Sequence, residues 1–273
     1  MREEGLQVTL RPPVEPMLAQ AAEAVPGPAA VRAGVAYEQK LDGHRAIVFT
    51  AAGPGGTVLV QTRRGALVQD RWPDLVAAAE AQLPHGLVLD GELVVWDTEA
   101  GRLSFEALQR RAATRARGAL ALAVKWPAYF VAFDLLQRDG EELLTRPYVE
   151  RRALLENLFA EHALSAPWTL CPQTTDLATA REWLESWTDV SGVEGIVAKR
   201  ASSTYRGGQR LWEKVALGGC GSRGRRLHRH SGPSAPTGPR PARRARSPLA
   251  AAHRGSRRPG RASRLLCTNS KRR

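Results

Sequence analysis

Short apolar runs separated by turn residues dominate the chain between residues 35 and 216. These runs predict strands over residues 35–38, 46–50, 57–62, 87–96, 129–136, 195–199 and 211–216. Longer stretches with helix-start signals predict helices over 73–83, 105–112, 147–162 and 177–187. Strands outnumber helices and many are joined by hairpins, so the pattern predicts a mixed, largely antiparallel α/β (α+β) domain.

The pattern changes on both sides of this region. Residues 1–34 are rich in Pro and Ala, which predicts an extended lead-in. Residues 217–273 contain no Phe, Trp or Tyr and keep no apolar periodicity, so they cannot bury enough apolar surface to offset ordering entropy. The sequence thus predicts a lead-in over 1–34, a folded domain over 35–216 and a disordered Arg-rich tail over 217–273.

Charge separates the tail from the rest of the chain. The net charge is +13, but residues 217–273 hold 15 Arg, 1 Lys and no acidic residue, whereas residues 1–216 carry −3. The basic character is therefore a property of the tail, and the body has the charge of a slightly acidic intracellular enzyme.

Cysteine usage and hydropathy point to the cytoplasm. Cys171, Cys220 and Cys267 are odd in number and lie far apart, without His or Cys at metal spacing, so neither disulfides nor a zinc site is indicated. No apolar run has the form of a signal peptide or a membrane span. We expect a soluble, cytoplasmic protein with no membrane partner.

Lys40 lies where a strand meets a turn. Val35–Glu38 predicts the strand, Asp42–Gly43 the turn and Ala46–Thr50 the returning strand. A lysine at a buried strand end has its pKa lowered by desolvation or nearby cations, and its neutral amine can then attack phosphorus. The alternative is a surface lysine beside a hairpin, and the hexapeptide alone does not choose between them.

Four further clusters place charged groups or an aromatic ring in apolar strands: Asp90–Leu93, Tyr129–Asp134, Val193–Lys199 and Trp212–Lys214. Each has an ordinary explanation: Glu92 as a rim carboxylate, Phe133 as a core aromatic, Glu194 and Lys199 as a solvated pair, and Lys214 as an edge lysine. Charges within apolar strands are costly unless they face a site or a partner. The order of the clusters along the chain and their shared strand contexts are the strong indication that they share one chemistry with Lys40.

Taken together with Lys40-Leu41-Asp42-Gly43-His44-Arg45, these clusters resemble the motifs of the covalent nucleotidyltransferase superfamily. They are most similar to those of bacterial ATP-dependent DNA ligases, from about Pro16 to Val215. The resemblance implies a ligase-type, ATP-grasp-like nucleotidyltransferase fold. It also implies an enzyme of DNA repair, recombination and replication that uses ATP and Mg²⁺, acts on nicked double-stranded DNA as a monomer, and associates with the nucleoid.

In that family the lysine of Lys-x-Asp-Gly-x-Arg is adenylated. The resemblance therefore implies that Lys40 forms lysyl-AMP and passes AMP to a 5′-phosphate, after which a 3′-hydroxyl displaces it. Glu38 takes the adenine-selecting position and Phe133 the aromatic that stacks on adenine. Lys199 and Lys214 take the positions of the lysines that hold the α-phosphate.

The remaining implied roles concern DNA and metal. Arg45 would contact the ribose and the nick-side phosphate, and Arg63, in Thr62-Arg63-Arg64-Gly65, would touch the DNA 5′-phosphate. Glu92 corresponds to the glutamate linked to the ribose and the metal, and Glu194 to a second acid associated with the metal.

The chain departs from the family pattern after Val215. Ala216 stands where a second basic residue is usual, and the tail stands where an oligonucleotide-binding barrel normally follows. We favour a shift of reading frame near Val215, because residues with G- and C-rich codons dominate the tail. The alternative is a basic tail that holds DNA in place of the barrel. Either way, impaired sealing is expected.

Two rival functions stay open on sequence alone. One is another enzyme of the superfamily, an RNA ligase or a GTP-using capping enzyme. The other is an inactive fragment that binds nucleotide or DNA without turnover.

Overall fold

The computed structural model describes residues 10–187 and 190–217. The strands are β1 (Leu18–Ala21), β2 (Val35–Leu41), β3 (His44–Phe49), β4 (Leu59–Thr62), β5 (Val88–Asp97), β6 (Arg102–Leu103), β7 (Ala128–Arg138), β8 (Glu141–Glu142), β9 (Trp168–Leu170), β10 (Gln173–Thr174), β11 (Val193–Arg200) and β12 (Arg210–Ala216). The helices are α1 (Pro28–Arg32), α2 (Pro73–Gln82), α3 (Phe105–Ala113), α4 (Ala116–Lys125), α5 (Tyr148–Glu161) and α6 (Leu177–Ser186), with a 3-10 turn at Gln69–Arg71.

These strands form two mixed sheets. The first has the order β1-β12-β11-β2-β10; the second has the order β4-β3-β5-β7-β8, with β6 paired to β5 and β9 to β7. Most pairs are antiparallel, whereas β1–β12 and β7–β9 are parallel. The predicted fold class, a mixed and largely antiparallel α/β domain, is confirmed.

The chain passes from one sheet to the other at Asp42–Gly43. β2 pairs with β10 and β11, whereas β3 pairs with β4 and β5, so the hairpin predicted around Lys40 is wrong. Gly43 packs so closely that an added Cβ would lie 2.5 Å from the Leu93 carbonyl oxygen and 2.6 Å from Glu92 Cγ. A side chain at this position would therefore clash with β5.

Three apolar clusters hold the layers together. The largest packs the second sheet against α2, α3 and α5, and the smallest packs the first sheet against α6. The third contains residues of both sheets, among them Ile47, Val131 and Trp212, together with Met17 just before β1. This third cluster therefore packs the two sheets against each other.

The described part of the predicted lead-in is not extended throughout. β1 pairs with β12 in the first sheet, and α1 begins at Pro28, a residue type suited to a first helical turn. The sequence pattern also missed α4 and the short strands β6, β8, β9 and β10. The predicted tail beyond Leu217 lies outside the described residues. Among the described helices, none has the length and apolar character needed to cross a bilayer.

Candidate active site

A cavity of about 730 Å³ opens between the two sheets. All the site residues predicted from sequence contribute to its lining: Glu38, Lys40, Arg45, Arg63, Glu92, Phe133, Glu194, Lys199 and Lys214. Residues far apart in sequence thus converge on one place.

Strand register explains the convergence in the first sheet. Glu38 of β2 lies opposite Val197 of β11, which lies opposite Lys214 of β12. Side chains two residues apart on a strand point to the same face. Lys40 and Lys199 therefore share the face that carries Glu38 and Lys214.

Lys40 is partly buried at the end of β2, with 24% of its side chain exposed. Its ammonium forms an ion pair with Glu194, which precedes the residue opposite Lys40 in register, Gly195. Burial lowers the pKa of Lys40, and Lys214 lowers it further, whereas Glu92 and Asp42 oppose the shift. Burial and Lys214 therefore ease deprotonation of the amine, as a nucleophile requires, whereas the ion pair with Glu194 favours the ammonium until a ligand breaks it.

Glu92 lies across the strand ladder from Arg45 in the second sheet. Burial raises the pKa of Glu92 from 4.5 to about 7, although the positive charges of Arg45 and Lys40 act against the shift. Near neutral pH this carboxyl group is thus divided between its protonated and ionised forms.

Arg45 is held by a buried acid. Its Nε and Nη2 donate to the two carboxylate oxygens of Asp90 at 2.5 and 2.6 Å, and Nη2 also reaches the Met17 carbonyl oxygen at 3.2 Å. The Tyr205 hydroxyl donates to the same carboxylate at 2.7 Å. Arg45 therefore presents to the cavity the part of its guanidinium that Asp90 leaves free.

Lys199 and Glu38 form a second buried pair, with Nζ 2.6 Å from Oε2 and both side chains at most 2% exposed. Lys199 also donates to the Phe133 carbonyl oxygen at 3.2 Å. Its Nζ lies 4.2 Å from the ring centroid of Trp212, 4.5 Å from that of Phe133 and 4.9 Å from that of Tyr148. This lysine is compensated by one carboxylate and an aromatic cage.

Phe133 belongs both to the core and to the cavity wall. It is 8% exposed and meets the edge of Trp212, with ring centroids 6.0 Å apart. Arg45 Cζ lies 4.6 Å from its ring centroid. The two interpretations of Phe133, core aromatic and ligand contact, are therefore compatible.

The mouth of the cavity is basic. Arg63 and Lys214 are exposed, and they are joined in the lining by Arg64, Arg71 and Arg210. Arg71 and Arg210 carry no sequence signal because each stands outside the recognisable motifs. The sequence assigned no role in the site to Trp212, Tyr148 or Tyr205, and only tertiary contacts reveal their part in it.

The acids could hold a divalent metal only together with a ligand. Within residues 10–187 and 190–217, no group of three or more His, Cys, Asp or Glu side chains forms a metal cage. Glu92 and Glu194 nevertheless line the same cavity near Lys40. Mg²⁺ is typically bound by one or two carboxylates plus substrate phosphates, so the donor set fits that mode.

Comparison with known proteins gives a consistent result. Residues 16–215 match the family model described as ATP dependent DNA ligase domain. The chain is 36% identical over 227 residues to DNA ligase C2 of Mycolicibacterium smegmatis, covering 82% of this chain and 60% of that protein. It is 36% identical over 229 residues to DNA ligase C of Mycobacterium tuberculosis, covering 82% and 61%.

A solved structure agrees with these relatives. Mycobacterial DNA ligase D complexed with ATP and MES superposes with a TM-score of 0.58 at 32% identity, covering 74% of this chain and 60% of that one. The chain thus spans about 60% of the length of DNA ligases C2 and C.

Proposed function

Since this chain belongs to the ATP-dependent DNA ligase domain family, we propose that it transfers AMP from ATP to Lys40 and then to the 5′-phosphate of nicked duplex DNA. The observation that carries the proposal is the placement of Lys40 in a cavity shared with Glu92, Glu194, Lys199 and Lys214. The family match favours a DNA ligase over an RNA ligase or capping enzyme. We place its action in the cytoplasm, as a monomer.

In the first step Lys40 Nζ attacks the α-phosphorus. The N–P bond forms while the bond to pyrophosphate breaks, and the amine must first lose its proton. Burial assists that loss because it lowers the pKa of Lys40. The protein's other task is to position and compensate charge, since phosphoryl transfer needs cations around the transferred group.

Lys199 and Lys214 supply that positive charge from β11 and β12. Lys199 must exchange part of its contact with Glu38 for a phosphate oxygen, whereas the exposed Lys214 needs no such exchange. Bound Mg²⁺, held through Glu92 and Glu194, would neutralise phosphate charge. Glu38 and Phe133 would receive the adenine base.

In the second step an oxygen of a 5′-phosphate at the basic mouth attacks the phosphorus of lysyl-AMP. The new P–O bond forms as the N–P bond breaks, and the released Lys40 amine takes up a proton. Arg45 and Arg63 line the same cavity and would orient that phosphate. Arginine suits this role because its planar fork binds phosphate oxygens in pairs. Attack of a 3′-hydroxyl with AMP as leaving group would then seal the nick.

The test is mass spectrometry of the chain after incubation with ATP and Mg²⁺. We expect one added AMP on the peptide containing Lys40, and none in the Lys40→Ala chain. Lys125→Ala, which changes an exposed lysine of α4, serves as the matched control and should label normally. Labelling of another residue, or labelling that survives in Lys40→Ala, contradicts the proposal.

A further inference from the structure

The carboxylate of Glu38 is supported from behind by one face of α5. Tyr148 and Arg152 are four residues apart on this helix and therefore lie on the same side. The Tyr148 hydroxyl donates a hydrogen bond to Glu38 Oε1. Arg152 Nη1 lies 3.7 Å from the same oxygen.

Both supporting groups are fixed in place. Arg152 donates from Nε to Glu156 at 2.7 Å and from Nη2 to the Cys171 carbonyl oxygen at 3.0 Å. The Tyr148 hydroxyl accepts a hydrogen bond from Gln173 Nε2 at 3.3 Å. Burial, reinforced by Glu38, raises the pKa of Tyr148 well above its ordinary value, so the phenol keeps the proton that it donates.

One donor in this cluster is unused. Arg152 is 7% exposed, yet its Nη1 has no hydrogen-bond acceptor among the described residues. A buried donor without an acceptor is costly, so a nearby carboxylate that can approach it will do so. If Lys199 turns from Glu38 towards a phosphate, Arg152 is the cation that remains to compensate Glu38.

We propose that Tyr148 and Arg152 are positioning residues that hold the Glu38 carboxylate in place towards the base, and that the preference for a purine with an amino group at C6 depends on both of them. An ionised carboxylate only accepts hydrogen bonds. It therefore pairs with the 6-amino group of adenine and repels the 6-carbonyl oxygen of hypoxanthine or guanine. This inference deepens the proposed function and rests on it.

The experiment compares the binding of ATP and ITP, which differ at position 6 of the base. Calorimetric Kd values are measured with Mg²⁺ on the full chain carrying Lys40→Ala, so that no nucleotide is consumed. In Tyr148→Phe we expect the preference for ATP over ITP to fall roughly tenfold, the size of a hydrogen bond to a charged group, with ITP binding unchanged. Arg152→Gln should lower the preference as well, whereas Arg152→Lys, which keeps the charge, should retain most of it.

Tyr129→Phe is the matched control, because Tyr129 is a partly buried tyrosine of β7 outside the cavity lining. In this variant the preference for ATP over ITP should stay unchanged. An unchanged preference in both Tyr148→Phe and Arg152→Gln overturns the inference while leaving nucleotide binding intact. Equal loss of ATP and ITP affinity also overturns it, since that is a structural effect. Failure of the Lys40→Ala chain to bind either nucleotide overturns both the inference and the proposed function.

Discussion

At the scale of single residues, the cavity already pairs its cations with acids before any ligand is bound. Lys40 pairs with Glu194, Lys199 with Glu38, and Arg45 with Asp90. Desolvated charges are costly unless they are compensated, so these acids offset the buried charges and hold the side chains in place. A bound polyphosphate then competes with protein carboxylates for groups that are already oriented.

Phe133 provides a test of ring contact with the nucleotide. Phe133→Ala should weaken ATP binding by about 1–3 kcal/mol, by analogy with base–aromatic stacking. Phe133→Leu should preserve most of the apolar packing of this 8% exposed residue but not the stacking. Calorimetric Kd values measure both. If Phe133→Leu binds ATP as the parent chain does, the ring serves only the core.

Glu92 should make stability depend on pH. Its pKa rises from 4.5 in the unfolded chain to about 7 in the fold, so the folded state holds the proton more tightly. The unfolding free energy therefore falls as pH rises from about 4.5 to 7, and the contribution of Glu92 protonation is fully lost above pH 7. Relative to the parent chain, Glu92→Gln should gain unfolding free energy across that window and level off above it.

Urea unfolding without divalent metal at pH 5, 6 and 8 measures this gain. Glu182→Gln, at an exposed position of α6, is the control and should show no such trend. A gain for Glu92→Gln that does not grow with pH would contradict the assigned cause.

At the scale of elements, strand crossing and register assemble the site. β2 and β3 enter different sheets, so Lys40 and Arg45 line the cavity from different sheets instead of lying along one hairpin. Helix α5 is fastened to β7 by the fully buried pair of Arg151 and Asp134, with bonds of 2.8 and 2.9 Å. That attachment brings Tyr148 to Glu38.

Gly195 tests the register between β11 and β12. It has a φ of +149°, and a Cβ there would fall directly on the Val215 carbonyl oxygen. Gly195→Ala should therefore lower the unfolding free energy by about 2–3 kcal/mol and slow labelling of Lys40, since Gly195 lies opposite Lys40. Gly53→Ala is the control, because a Cβ added at Gly53 would have no non-neighbouring atom within 4 Å. It should change the unfolding free energy by less than ~0.5 kcal/mol. Equal stability of the two variants would show that the strands tolerate the side chain.

At the scale of the whole molecule, charge is divided between a body of −3 and a tail of +16. We expect tight DNA binding by the full chain to be tail-driven, independent of sequence and steeply dependent on salt, because neutralising Z phosphates gives a log–log slope near −0.9Z. A chain ending at Leu217, whose amide still donates to the Glu194 carbonyl oxygen, should lose most of that slope. Fluorescence anisotropy with nicked duplex over a salt series measures both chains, and equal slopes would refute the prediction.

The sequence by itself determined the fold class and picked out residues that line the cavity. Alternation and short apolar runs specify strands because side chains alternate across a sheet, and Lys40, Glu92 and Lys199 carry recognisable motifs. Only tertiary structure decided the partners: Asp90 for Arg45, Tyr148 and Arg152 for Glu38, and β12 for β1. These contacts join residues far apart in sequence, and packing between sheets fixes them. The local sequence pattern indicates on which face of a strand a side chain lies, but not which distant group it contacts.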